Sequence, residues 1–485
     1  MEKVKNYLKI INEVISKGRF KDNWESLKQW VTPSWYTDAK FGIFIHWGLY
    51  SIPAFDNEWY SRNMYIKGSK VYEHHVKTYG NHKEFGYKDF IPMFTATEFA
   101  AAKWAELFAE AGARYVMPVA EHHDGFQLYA SDLSQYNSLV MGPKKDILAE
   151  LKKELEARGI VLAASTHRLE HYFFMSGGRL FDSDIKDPKY GDLYWPSIVI
   201  PSDQLIEGVH IPKEYMDDWL ARTCELIDKY RPKVIYFDWW IQIECMKPYL
   251  QKFAAYYYNR GDEWGEAVAI NYKLDAFMHK TAVNDVERGF LSTTSPDFWQ
   301  CCTSVAKNSW GYTENNEYKQ PNDIICDLID IVSKNGTMLL NIGPKADGSI
   351  PDQDRDILLE IGKWLKVNGE GIYGTSYWKH FGEGPTATPE GHFTDTFRDS
   401  FTSEDFRFTF RNDSIYAFAL KWPEDGVVRI KTFGAAEKYY RGVIKDVAIL
   451  GCETSIRTIR CKDYLSVSAP EYKSNYPVCI KITLL

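Results

Sequence analysis

Six short runs of apolar, mostly β-favouring residues recur along the first three quarters of the chain, at 41–47, 114–120, 160–166, 234–239, 267–271 and 337–343. Each is near-continuously apolar instead of alternating, which suits strands covered on both faces, as in a parallel sheet. The stretches between them carry helix punctuation. Thr95-Ala96-Thr97-Glu98 reads as a capping box opening a helix that repeats Trp104, Phe108 and Ala111 and stops at Gly112. Residues 146–158 place Ile147, Leu148, Leu151 and Leu155 on one face before Gly159, and 214–231 line up Leu220, Cys224 and Ile227 before Pro232 forbids continuation. Helical patterns at 322–334 and 355–367 flank the last run. Strand–helix units repeated over roughly 340 residues predict an α/β fold of the (β/α)8 TIM-barrel type over an open doubly wound sheet. No Gly-x-Gly-x-x-Gly follows any run, which weakens a dinucleotide site.

The pattern changes after about residue 380. Phe406-Arg407-Phe408-Thr409-Phe410-Arg411 alternates strictly, and short strands at 415–420, 427–430, 443–450, 456–460 and 478–484 follow between turns. This predicts a C-terminal antiparallel β-sandwich, read more as a packing partner than as a carbohydrate-binding module. The expected organisation is a helical lead-in over 1–32, a catalytic barrel over 33–378 and the sandwich over 379–485.

Several function classes are disfavoured. A net charge of −8 offers no basic stripe for nucleic acid. No run approaches 18 uncharged apolar residues, so no membrane partner is expected. The start, Met1-Glu2-Lys3-Val4-Lys5-Asn6, lacks a leader-like apolar core, and the eight cysteines form no C-x-x-C pair. A reduced, cytoplasmic protein is the expectation, with self-association into a homo-oligomer left open.

In a barrel, functional groups collect at the C-terminal strand ends. Here five runs end in polar residues: His46; Glu121-His122-His123-Asp124; Thr166-His167-Arg168; Asp238, followed by Trp239-Trp240; and Asn271-Tyr272-Lys273. A lone histidine at such a place is more often a satisfied core residue, but five polar ends in register point to a pocket. Asp238 matters most, because an unpaired buried charge costs several kcal/mol. One chemistry is a metal-dependent hydrolase, disfavoured by the absence of H-x-H or H-E-x-x-H spacing. The other is glycoside hydrolysis by two carboxyl groups, with Asp238 as nucleophile. Its partner, on another loop, is Glu287 or the nearer Glu244, with Glu58, Glu314 and Glu317 further options that spacing does not separate. A sugar-binding lectin on an inactive hydrolase scaffold is the rival from another class.

Several segments together resemble the glycoside hydrolase family 29 α-L-fucosidases. They are Trp35-Tyr36-x-Asp38-Ala39-Lys40-Phe41-Gly42-Ile43-Phe44-Ile45-His46-Trp47-Gly48, Glu58-Trp59-Tyr60, His122-His123-Asp124-Gly125-Phe126, Met141-Gly142-Pro143-Lys144, Tyr236-Phe237-Asp238, Ser309-Trp310-Gly311-Tyr312 and Leu339-Leu340-Asn341-Ile342-Gly343-Pro344. The resemblance runs in order over about residues 33–375. It implies a barrel followed by a β-sandwich, no cofactor, and a retaining exo-α-L-fucosidase that releases L-fucose from fucosylated glycans through a covalent fucosyl-enzyme. Carried over by residue, it makes Asp238 the nucleophile and, by order along the chain, Glu287 the acid/base. It makes His46, His122, His123, Glu58 and Trp59 sugar-binding, and Trp310 a wall against the fucose methyl.

The chain departs from the family pattern in three places. Tyr236 stands where a tryptophan is usual. Ser165-Thr166-His167 replaces a Tyr-Tyr-Ser block, with His167 in its place, and Asn271-Tyr272-Lys273 replaces an Asn-Asp-Arg block whose arginine approaches the nucleophile. Lys273 keeps that charge but loses the bidentate fork. The loops at 67–90 and 173–212 are read as shaping the leaving-group side.

Overall fold

The computed structural model describes residues 2–195, 198 and 210–485. A closed parallel barrel forms from β1 (Phe41–Ile45), β2 (Tyr115–Glu121), β3 (Val161–Leu162) continued by β4 (Ala164–Thr166), β5 (Val234–Phe237), β6 (Ala269–Tyr272), β7 (Val283–Glu287), β8 (Trp299–Ser304) and β9 (Gly336–Ile342). Neighbours pair in the order β1-β9-β8-β7-β6-β5-β4-β2, and β1 closes the ring on β2 through Gly42↔Tyr115 to Ile45↔Pro118. The part of the 173–212 loop at 196, 197 and 199–209 lies outside the described residues.

Two barrel strands, β7 and β8, were not anticipated. Their sequences, Val-Asn-Asp-Val-Glu and Trp-Gln-Cys-Cys-Thr-Ser, are too polar for the apolar-run criterion. Asp285 and Gln300 are nevertheless fully buried and bonded: Gln300 Nε2 donates to Asp285 Oδ1 at 2.7 Å, and Tyr36 OH donates to Gln300 Oε1 at 2.7 Å. A buried polar group with partners costs little, so this side of the barrel tolerates polar strands. Glu287 consequently ends a strand instead of sitting on a loop.

The Thr95–Glu98 capping box is a second correction. The helix is Ala101–Glu110, with no side-chain cap at its start. Ala96 has a left-handed φ of 48°, and the Glu98 amide donates to Asp347 O at 2.7 Å, so the segment is a loop tied to the turn that follows β9. The other helices follow their punctuation. Asp146 accepts from the Ala149 amide at the head of Ile147–Glu156, and Arg231, at φ 45°, ends Lys213–Tyr230 before Pro232. Among the described residues no helix is long and apolar enough to cross a membrane, and no disulfide links two cysteines.

The C-terminal part adds β10 (Ser376–Glu383), β11 (Phe406–Arg411), β12 (Ser414–Ala419), β13 (Val427–Ile430), β14 (Ile444–Ile449), β15 (Arg457–Arg460), β16 (Leu465–Ser468) and β17 (Val478–Leu484). They form an antiparallel sheet β10-β11-β12-β17-β14 and a smaller one β13-β16-β15, with Trp378, Phe408, Ile415, Phe433 and Ile480 among the side chains of the shared core. The boundary drawn at 378 falls inside β10. Arg407 Nε donates to Asp330 Oδ1 on the barrel helix Pro321–Ser333, and Lys334 Nζ meets the same carboxylate at 2.7 Å. Removing one partner from such a buried pair would leave an uncompensated charge at the seam, at a cost of about 3–5 kcal/mol. Between β10 and β11 the chain leaves the sandwich and crosses the barrel mouth: Phe290 pairs with Gly391, and the amides of Thr394 and Asp395 donate to Arg288 O.

Candidate active site

At the C-terminal mouth of the barrel lies a cavity of about 170 Å³. Ten of the eleven side chains selected from sequence line it, and Phe44, Trp239 and Phe393 complete the lining. The exception is Lys273, expected to stand against the nucleophile in place of an arginine. It is fully buried behind the wall, where its Nζ donates to Asp285 Oδ2 at 2.7 Å and Glu287 Oε2 at 2.9 Å. That is a correction with a local cause: Asp285, on the polar strand β7, captures the ammonium. Among the rival glutamates, Glu58 shares the lining with Glu287, whereas Glu244, Glu314 and Glu317 are exposed outside it.

Asp238 follows β5 directly, so the buried run of Val234 to Phe237 carries its carboxylate to the mouth. Its Oδ2 faces His123 Nε2 at 3.3 Å and His167 Nδ1 at 3.2 Å, while Tyr236 OH makes only a long 3.5 Å contact to Oδ1. The His123 ring is read from its partners. Nδ1 faces the His167 carbonyl at 3.0 Å, and Nε2 lies between Asp238 and Glu170 Oε2, the latter at 3.4 Å. Acceptors at both nitrogens require two N–H groups, hence an imidazolium. Burial works against that charge, but the Glu170 and Asp238 carboxylates win and raise the His123 pKa. His167 is the opposite case: Ser165 Oγ sits 2.7 Å from Nε2, and burial lowers the pKa of the ring against the pull of Asp238. Burial also opposes the Asp238 charge, yet His167, His123 and the more distant Lys273 hold its carboxyl well below the usual range.

Glu170 was missed by the sequence reading. It lies on the helix Arg168–Phe174, three residues after a strand-end histidine, which is the one signal it offered. It is fully buried, neither oxygen has a hydrogen-bond partner among the described residues, and Arg62 Nη1 approaches only to 3.6 Å. Arg168, by contrast, turns away from the cavity to Glu121 at 2.6 Å and Asp218 at 2.8 Å.

On the opposite wall, Glu287 ends β7. Its Oε2 accepts from Lys273 Nζ and from Trp239 Nε1, so a proton on this carboxyl belongs on Oε1. Burial raises its pKa, Lys273 offsets part of that, and the Asp238 charge adds to the rise. Two carboxyl groups of one cavity thus have pKa values pushed in opposite directions, the pattern of a split between acid and nucleophile.

The floor is neutral and hydrogen-bonding. His46 Nδ1 donates to Asn341 Oδ1 at 2.7 Å, which leaves Nε2 to accept, and His122 Nδ1 is buried with no hydrogen-bond partner among the described residues. Burial lowers the pKa of both rings. Glu58 accepts from Ser309 Oγ and the Trp310 amide at 3.0 and 2.9 Å, fixing the Trp310 ring against His46 at 5.2 Å. For a metal, His46, His122 and His167 bring ring nitrogens within 4.8 Å of one another, and His123, His167 and Asp238 form a second such group.

A closed barrel with two carboxyl groups, a cluster of buried histidines and aromatic walls at its carboxyl face has the make-up of a glycoside hydrolase. Comparison with known proteins gives the particular family. The α-L-fucosidase family model matches residues 8–370, and the model of the α-L-fucosidase C-terminal domain matches 398–483. The tissue α-L-fucosidase of Rattus norvegicus is 31% identical over 435 residues, covering 86% of this chain and 82% of that protein. The α-L-fucosidase of Dictyostelium discoideum is 29% identical, with 87% and 85% covered. The Thermotoga maritima α-fucosidase, solved in complex with fucose, superposes with a TM-score of 0.74 at 29% identity over 96% of this chain and all of that one. The chain belongs to the α-L-fucosidase family and is an enzyme of the glycoside hydrolase class.

Proposed function

We propose that the chain is a retaining exo-α-L-fucosidase, acting on fucosylated oligosaccharides or glycoconjugates through a covalent fucosyl-enzyme. The observation that carries this reading is that Asp238 and Glu287 share one small cavity with their pKa values moved apart. Asp238 Oδ1, the oxygen left free when His123 and His167 face Oδ2, attacks C1 of the fucosyl residue. Glu287 gives its proton, from Oε1, to the departing glycosidic oxygen. Glu287, now a carboxylate, takes a proton from water, the oxygen of that water adds to C1, and the bond to Asp238 breaks to release L-fucose of unchanged configuration. The neutral His46 and His122, with Glu58, bond the sugar hydroxyls, and Trp59 and Trp310 face the apolar parts of the ring. A cavity closed at its base accepts a terminal sugar, which supports exo action.

The test is hydrolysis of a 4-nitrophenyl α-L-fucoside followed by ¹H NMR from the first minutes. The α-anomer of fucose is expected first, with activity lost in Asp238→Ala and unaffected by EDTA. A β-anomer formed first would overturn the retaining mechanism. Inactivation by EDTA with recovery on added zinc would favour the histidine groups as a metal site.

A further inference from the structure

We propose that the connector between barrel and sandwich builds the subsite for the leaving group, with Phe393 and Trp239 as a platform for the apolar face of a hexopyranose residue attached to the fucosyl unit. This rests on the fucosidase reading above, and four observations lead to it.

First, the acid fixes where the leaving group starts. The oxygen protonated by Glu287 is the first atom of the departing residue, so the ring beyond it passes the side chains around Glu287. These are Trp239, whose Nε1 donates to Glu287 Oε2, and Phe393, whose ring stacks on Trp239 at 6.0 Å and an interplanar angle of 15°. Second, Phe393 lines the cavity and yet is 50% exposed. A large apolar ring left half bare at the rim of a sugar pocket is available to a sugar's C–H face, because aromatic rings bind such faces while the hydroxyls stay in water.

Third, the ring is held there. Phe393 has a left-handed φ of 58°, a conformation rare outside glycine. Its amide donates to Glu287 O at 2.8 Å, and the Glu287 amide donates to His392 Nδ1 at 3.0 Å. The connector and the acid are thus one hydrogen-bonded unit. Fourth, the flanks are anchored. Asp395 Oδ2 takes Thr303 Oγ1 at 2.8 Å and the Lys319 ammonium, and Gly391 crosses so close to Gly289 that a Cβ on Gly289 would stand 1.8 Å from Gly391 O. A preorganised platform binds without a further ordering cost.

Phe393→Gly is the informative variant, because glycine accepts the left-handed backbone and removes only the ring. Its kcat/KM is compared with that of the parent enzyme on α-L-fucosyl fluoride, whose leaving group is a single atom, and on an α-fucosylated hexose disaccharide. The disaccharide is expected to lose about fivefold to tenfold more than the fluoride, and Phe393→Trp is expected to restore most of the difference. Equal fractional losses on the two substrates would reduce Phe393 to packing against Trp239 and overturn the subsite, as would no loss on either. A parent enzyme inactive on both would instead remove the fucosidase reading on which the subsite stands.

Discussion

Asp238 stands among histidines on the β2–β5 side of the pocket, and Glu287 stands beside a lysine and an indole on the β6–β8 side. Each carboxyl group has one nearby cation and one competing acid. On the first side the cation is His123, and its second acid, Glu170, is raised in pKa by burial. The two acids share its positive charge, and Asp238, which also faces His167, is held well below the usual carboxylate range. On the second side Lys273 is nearer to Asp285, at 2.7 Å, than to Glu287, at 2.9 Å, and Gln300 and the Cys302 thiol also donate to Asp285. Glu287 receives only part of the lysine's attraction, and burial prevails. The same residue type is thereby prepared for opposite work by how a neighbour's charge is shared.

Glu287→Ala should produce the largest contrast. Without the proton donor, substrates with sugar leaving groups should lose kcat/KM by about 10²–10⁴, whereas a 2,4-dinitrophenyl fucoside, whose leaving group needs no proton, should lose far less. The pH profile gives the sign independently. Activity in the parent enzyme requires Asp238 ionised and Glu287 protonated, so it falls as pH drops through the lowered Asp238 value and falls again as pH rises through the raised Glu287 value. The alkaline limb should vanish in Glu287→Ala. The same leaving-group signature in Glu244→Ala would break the comparison.

A smaller effect is expected from Glu170→Gln. Removing a carboxylate 3.4 Å from His123 Nε2 disfavours the imidazolium, so the His123 pKa should fall, followed by NMR titration of its ring protons. The acidic limb should then move upward, because Asp238 would face a weaker cation and lose its proton less readily. An unmoved His123 titration would mean that Glu170 does not help hold the nucleophile ionised.

The two sides also differed in how far they could be read from sequence. The Asp238 side lies on strands that are apolar runs with abrupt polar ends, so His46, His122, His123, His167 and Asp238 could be placed at the barrel mouth. The Glu287 side lies on β7 and β8, where Asp285, Gln300 and Cys302 face a polar interior and hide the strands. Glu287 was reached there by family order, and the direct bonds of Lys273 to Asp285 and Glu287 could not be read because Asp285 had no visible role. Phe393 had no local signal at all, since its position depends on the connector's crossing over Arg288 and Phe290. The Thr95–Glu98 segment failed differently: a helix-start motif was overridden by a left-handed Ala96 and a backbone bond to Asp347.

The most direct test of the division of labour is to trap the intermediate with 2-deoxy-2-fluoro-α-L-fucosyl fluoride. Its ring fluorine slows both steps, while its good leaving group lets the first proceed without an acid. Intact mass followed by peptide mapping should find one deoxyfluorofucosyl unit per chain, on the peptide carrying Asp238. A label on Glu287 or another carboxylate, or steady turnover with no adduct formed, would contradict the account.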